Sequence, residues 1–169
     1  DDKLFFVDKL DFDVIVDFGC ANGAFLSKVK KMKPNVKIIG YDLDETMLSK
    51  ARAELTSEEI LTSNWDEVIR EIQGYNSPLL NLSSVIHEVY SYSHPSVVKS
   101  FWENQVFGGD FKWITIRDMI PSCKIDKDEI ESFRKDVQNV RKRANKFYLE
   151  SFEKRWGTIN DNYRTFCHF

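Results

Sequence analysis

The stretch Val14-Ile15-Val16-Asp17-Phe18-Gly19-Cys20-Ala21-Asn22-Gly23 limits what this chain can fold into more than any other. Three consecutive β-branched residues fit a strand covered on both faces, as in a parallel sheet, better than a half-exposed one. Asp17 is expected to end that strand. Gly19 and Gly23 then bracket a turn where the backbone bends sharply and a ligand can come close. Leu26, Val29 and Met32 give residues 24–32 helical spacing. Strand, glycine turn and helix start together make a nucleotide cradle.

At 169 residues, with an ordinary hydrophobic share of 42%, the chain is one domain by size and long enough to bury a core. A net charge of -3 excludes a wholly basic nucleic-acid coat but not a local patch. Cys20, Cys123 and Cys167 lie far apart without a CxxC pair or matched histidines, so they read as free thiols in a reducing compartment, and no metal site is expected. No run approaches the roughly eighteen apolar residues of a membrane span, and no signal-peptide pattern opens the chain. A cytoplasmic location without membrane contact is the expectation. The chain opens on Asp1-Asp2 and closes on Phe169, and both ends read as cut from something longer.

Residues 1–13 mix acids with Leu4, Phe5, Phe6, Val7, Leu10 and Phe12, as an arm packed on the sheet edge would. Pro34-Asn35 stops the first helix, and residues 36–41 form a second strand that ends on Asp42. Asp42 follows the glycine turn by about twenty residues, the spacing at which a carboxylate on the neighbouring strand accepts both ribose hydroxyls of a nucleoside. A helix capped by Asp44 carries Met47, Leu48, Ala51 and Leu55. A third strand at 60–62 leads through Ser63-Asn64-Trp65-Asp66 into a helix with Val68, Ile69 and Ile72 inward, closed by Gly74. The fourth strand spans 79–84. Ser93 is expected to cap a helix with Pro95 in its first turn and Val97, Val98, Phe101 and Trp102 inward, ended by Gly108-Gly109. The fifth strand is 111–117. Strands alternating with helices imply a doubly wound, mostly parallel α/β sheet with helices on both faces and a ligand crevice at the carboxyl ends of the strands.

From the capping pair Asp126 and Glu129, one long amphipathic helix is expected, with Ile130, Phe133, Val137, Val140, Ala144 and Phe147 on its apolar face. Its other face is basic: Arg134, Lys135, Arg141, Lys142, Arg143, Lys146, Lys154 and Arg155 outnumber Asp136, Glu150 and Glu153. Such a face is either solvated or a surface for an acidic partner. Beyond Gly157, Asn160 or Asp161 reads as the cap of a further helix.

These segments resemble the class I S-adenosylmethionine-dependent methyltransferases over residues 14–118. Val-Asp-Phe-Gly-Cys-Ala-Asn-Gly looks like that family's first motif, with Ala21 in place of its middle glycine. Gly-Tyr-Asp-Leu-Asp looks like the end of its second strand, Leu-Ser-Ser-Val-Ile-His-Glu-Val like the end of its fourth, and Ile-Arg-Asp-Met like its fifth. The resemblance implies a single domain: an arm at 1–13, a cofactor-binding core at 14–118 and a helical segment at 119–169. It also implies that the last two strands of the family's sheet are missing, which leaves the fifth strand as an edge open to pairing.

Carried over by position, Gly19, Cys20, Ala21 and Gly23 would line the methionine and ribose of S-adenosyl-L-methionine. Asp17 would attract its α-ammonium, Asp42 would hold the ribose and Leu43 would pack on adenine. Asn64, Trp65 or Asp66 would meet the adenine edge, and Ser83 and Ser84 the transferred methyl. His87 stands where a general base is expected, with Glu88, Tyr90 and Tyr92 shaping the acceptor pocket. The acceptor is a small molecule or an RNA. Two rivals stand beside this reading. A methyltransferase-like domain that only binds a partner is one. A nicotinamide-dinucleotide oxidoreductase is the other, and a carboxylate at Asp17, just ahead of the glycines, would repel its pyrophosphate.

Overall fold

The computed structural model describes residues 2–118, 127–156 and 158–159, in a chain that forms two compact units, Asp1–Asp118 and Met119–Phe169. In the first, β1 (Val14–Phe18), β2 (Lys37–Tyr41), β3 (Ile60–Thr62), β4 (Pro78–Ser83) and β5 (Trp113–Arg117) form one parallel sheet in the order β3-β2-β1-β4-β5. The helices α1 (Ala24–Met32), α2 (Glu45–Glu54), α3 (Trp65–Ile72), α4 (Ile86–Tyr92) and α5 (Pro95–Ser100) lie between the strands in sequence, and a π-helical stretch, Phe101–Val106, precedes β5. The doubly wound α/β fold is as expected. Its strand order reverses between β1 and β4, and that reversal opens a crevice beyond their carboxyl ends.

Alternation along the strands builds two cores. Val14, Val16, Phe18, Leu80 and Leu82 pack on one face with Val68 and Ile72 of α3 and with Phe101 and Val106. The π-helical turn brings that last pair, five residues apart, onto one side. Ile15, Ile38 and Leu79 pack on the other face with Leu26 and Val29 of α1 and Leu48 of α2.

The N-terminal arm joins this second core and also reaches the edge strand β5. Phe6, Val7 and Phe12 are buried in it, each worth about 1.5–3 kcal/mol relative to exposure. Lys33 Nζ donates to the Leu10 carbonyl at 3.0 Å, and Trp113 Nε1 donates to the Asp11 carbonyl at 2.9 Å. Asp17 does not end β1. It sits inside the strand in register with Asn81, which is in register with Thr115. His94, not Ser93, caps α5, its Nδ1 accepting from Ser96 N–H at 3.3 Å, and Val97 faces solvent.

In the second unit, the single expected helix is two, α6 (Lys127–Arg143) and α7 (Lys146–Trp156). Asn145 breaks it: its side chain accepts from Phe147 and Tyr148 N–H and caps α7, a bond that a residue inside a helix would forgo. The new phase turns Phe147 outward and buries Leu149 with Val137 and Ile159. Asp126, the side chains of Glu129, Ile130 and Phe133, and the expected helix start at Asn160 or Asp161 lie outside the described residues. No helix among the described residues is long and apolar enough to cross a membrane.

Candidate ligand site

Two cavities of about 320 and 450 Å³ open beyond the carboxyl ends of β1 and β4, sharing Lys3, Gly19, Ala21 and Ser83 as walls. The smaller adds Asp17, Cys20 and Lys28; the larger adds Asp42, Leu43, Ser84, Glu88 and Tyr92. Of the residues expected to bind, these cavities therefore collect Asp17, Gly19, Cys20, Ala21, Asp42, Leu43, Ser83 and Ser84.

Asp17 is 4% exposed and accepts from Asn81 Nδ2 at 2.7 Å, while Thr115 Oγ1 donates to Asn81 Oδ1 at 2.9 Å. Burial pushes its carboxyl up from 3.8 to about 7, opposed by the Asn81 hydrogen bond and the Lys3 charge. The Cys20 thiol, buried beside Asp17 and Asp42, is pushed up to about 12 and stays protonated at neutral pH.

Asp42 ties the glycine turn to the start of α2: its Oδ2 accepts from Ala21 N–H at 2.8 Å and its Oδ1 from Asp44 N–H at 2.9 Å. Ala21 takes a φ of 47°, the left-handed region that a glycine would enter without strain. Ser83 Oγ, a wall of both cavities, is buried without a hydrogen-bond partner among the described residues. An orphaned hydroxyl of this kind is a polar group waiting for a ligand or water.

Other expected contacts stand elsewhere. Gly23 has a φ of 75°, and a Cβ there would meet Ala51 Cβ at 3.0 Å, so this glycine lets α1 and α2 approach. Trp65 is packed in the core against Phe18 and Tyr41, at 5.3 and 5.1 Å between ring centroids. Asn64 caps α3 through Asp66 N–H at 3.0 Å, and none of Asn64, Trp65 and Asp66 lines either cavity. Tyr90 accepts from Trp102 Nε1 at 3.1 Å, also away from the cavities. His87 lines neither; its Nδ1 lies 2.6 Å from Asp118 Oδ1. Asp118 Oδ2 also accepts from Ile86 and His87 N–H at 2.7 and 3.2 Å, capping α4 from the end of β5.

Sequence reasoning missed Lys3, Lys28, Asn81, Thr115 and Asp118 as parts of this region. Only Asp118 carried a signal, its place at the end of the fifth strand.

Residues 11–72 match the family model described as "Methyltransferase domain". No curated protein sequence matches the chain significantly. Among solved structures, the plantazolicin methyltransferase BamL, in complex with a triazolic desmethylPZN analog and SAH, is 13% identical, with a TM-score of 0.54 over 96% of this chain and 52% of its own. The plantazolicin methyltransferase BpumL in complex with SAH is 17% identical, TM-score 0.42, over 96% and 55%. An O-methyltransferase from a trans-AT PKS multienzyme of Brevibacillus brevis, in complex with S-adenosyl-L-homocysteine, is 10% identical, TM-score 0.44, over 91% and 65%. The chain spans about half the length of the plantazolicin enzymes. The BamL match shows a shared fold.

Proposed function

We propose that this chain, built on the class I methyltransferase fold, binds S-adenosyl-L-methionine and transfers its methyl group to an acceptor. One observation carries the reading: two adjoining cavities, one lined by Asp17 and the other by Asp42, with the glycine turn and the unpartnered Ser83 hydroxyl as shared walls. The residues fit such a ligand. A carboxylate offers about four acceptor sites, and the two N–H groups on Asp42 leave capacity for a ribose diol. Leu43, 78% exposed, offers apolar surface that an adenine would cover.

When bound, the group supplies an electrophilic sulfonium methyl for in-line displacement by an acceptor lone pair. What the protein contributes is positioning: Asp42 held rigid by two backbone N–H groups, and a base only where the acceptor atom carries a proton. His87 lines neither cavity, so it is the proposed base only for a protic acceptor that extends beyond them to reach it; Asp118 engages Nδ1 and leaves Nε2 to accept the proton. His87→Ala then abolishes the pH dependence of the rate, and an unchanged profile reduces the pair to an anchor of α4.

The acceptor is a small molecule or an RNA; exposed Arg134, Lys135, Arg141, Lys142 and Arg143 on α6 favour an acidic partner. Calorimetry with S-adenosylmethionine, S-adenosylhomocysteine and NAD tests the donor. The first two bind, and Asp42→Ala weakens them at least roughly tenfold. Binding of NAD alone overturns the reading. Labelled methyl transfer onto RNA and metabolite pools separates an enzyme from a domain that only binds.

A further inference from the structure

We propose that Lys3 of the N-terminal arm and Lys28 of α1 hold the α-carboxylate of the donor's amino-acid end, so that the arm is part of the binding site. The inference rests on the donor reading above and concerns the smaller cavity. Its ionisable walls, besides the thiol of Cys20, are Asp17, Lys3 and Lys28, a single acid set with two bases. An adenosine carries no charge that would call for this set. An α-amino acid does: its ammonium is complementary to a carboxylate and its carboxylate to ammonium groups, each pairing as a charge-assisted hydrogen bond. The larger cavity, with Asp42, Leu43, Phe18 and Tyr41, has the hydrogen-bonding and apolar surface of a nucleoside site. The two cavities thus divide along the same line as the ligand.

The arm is held firmly enough to present a side chain. Lys3 lies in the turn Asp2–Leu4, whose Leu4 carbonyl accepts from Val7 N–H at 3.0 Å, and the fully buried Phe6 and Val7 follow directly. Phe6 also meets Phe25, a wall of the same cavity, at 6.3 Å between ring centroids. Lys28 stands one helical turn after Ala24 and Phe25 of α1, which line that cavity as well. The Lys3 charge further favours ionised Asp17, the form that an ammonium needs.

Three ligands and two variants test the assignment by calorimetry, with thermal unfolding to confirm that each variant is folded. S-adenosylhomocysteine carries both charges, its decarboxylated analogue keeps only the ammonium, and methylthioadenosine has neither. The unsubstituted chain binds S-adenosylhomocysteine roughly tenfold or more tighter than the decarboxylated analogue, as loss of charge-assisted hydrogen bonds requires. The double variant Lys3→Met/Lys28→Met abolishes that preference and leaves the other two ligands within about twofold, and Lys3→Met/Lys28→Arg restores part of it. Equal weakening of all three ligands overturns the assignment and makes the lysines structural. Methylthioadenosine binding with no preference for the carboxylate also overturns it while leaving the donor reading intact. Failure of all three to bind the unsubstituted chain overturns both.

Discussion

At the amino-terminal end of the sheet, Asp13 accepts from Asn76 and Ser77 N–H at 2.7 and 2.9 Å, and the buried Glu59 accepts from Ile38 N–H and pairs with Lys30 at 3.1 Å. Lys112 Nζ donates to Ser77 Oγ at 2.9 Å on the same side. At the carboxyl-terminal end, Ser83 Oγ lacks a partner among the described residues, Asp17 is buried with its carboxyl at about 7, and Ala21 and Ser84 hold positive φ values. Both ends use carboxylates to fasten backbone, Asp42 and Asp118 doing so at the second, but the first end does little else with its polar groups. The second end also keeps polar groups in conditions that favour a ligand over the empty site, which is how strain and raised pKa values come to gather at functional sites. The contrast has a consequence for mutation: substitutions at the first end should lower stability alone, whereas those of cavity-lining residues at the second should trade stability against binding.

The largest expected effect is at Asp17. The unfolded carboxyl ionises near 3.8 and the folded one near 7, so the folded chain holds an extra proton between those values. Its contribution to stability is complete below about pH 4 and is lost as pH rises towards 7. At about 1.36 kcal/mol per unit the loss is on the order of 4 kcal/mol. Asp17→Asn keeps an acceptor for Asn81 and removes the ionisation, so urea unfolding at pH 8 should show it more stable than the parent by up to that amount. The same variant should bind S-adenosylhomocysteine more weakly. A variant no more stable at pH 8 breaks the contrast.

Asp13→Ala comes next and sharpens it from the other side. Two backbone N–H groups lose a charged acceptor, a loss of about 3 kcal/mol in chemical denaturation, with ligand affinity unchanged in calorimetry. Asp118→Ala should remove roughly 1–2 kcal/mol by uncapping α4, visible as faster hydrogen exchange at Ile86 and His87 than elsewhere in the unit. Ala21→Gly has the smallest effect. Relief of a left-handed alanine, roughly 1 kcal/mol, is offset by the added freedom of glycine in the unfolded chain, so the melting temperature should hardly move.

How much of this was legible in the sequence follows from the range of each interaction. The β-branched and leucine runs, the glycine turn and the carboxylates Asp17 and Asp42 lie within or directly after single strands, and the fold and much of the crevice could be read from them. Asp118 caps a helix whose first residue is 32 positions away, and that pairing exists only once β4 and β5 are aligned. Lys3 reaches the crevice because Phe6 and Val7 bury themselves, a packing result that no local periodicity encodes. Trp65 and Phe147 misled for a related reason. An aromatic residue after a strand fits a core as well as a ligand edge, and a capping Asn145 resets the phase of the apolar stripe that follows it.

The row Thr115–Asn81–Asp17 also bears on how the strands find each other. Val14, Ile15, Val16, Leu79 and Leu80 are wholly buried and oily on either side, and such strands are nearly indifferent to sliding past one another. The polar row removes that indifference. A slip of β5 by one residue would set Ile114 or Ile116 opposite Asn81 and leave its buried carbonyl oxygen without a donor, at roughly 1–3 kcal/mol. The three side chains therefore act as an alignment key, notching neighbouring strands to a common level so that Asp17, Ser83 and Asp118 arrive together at the same rim of the sheet.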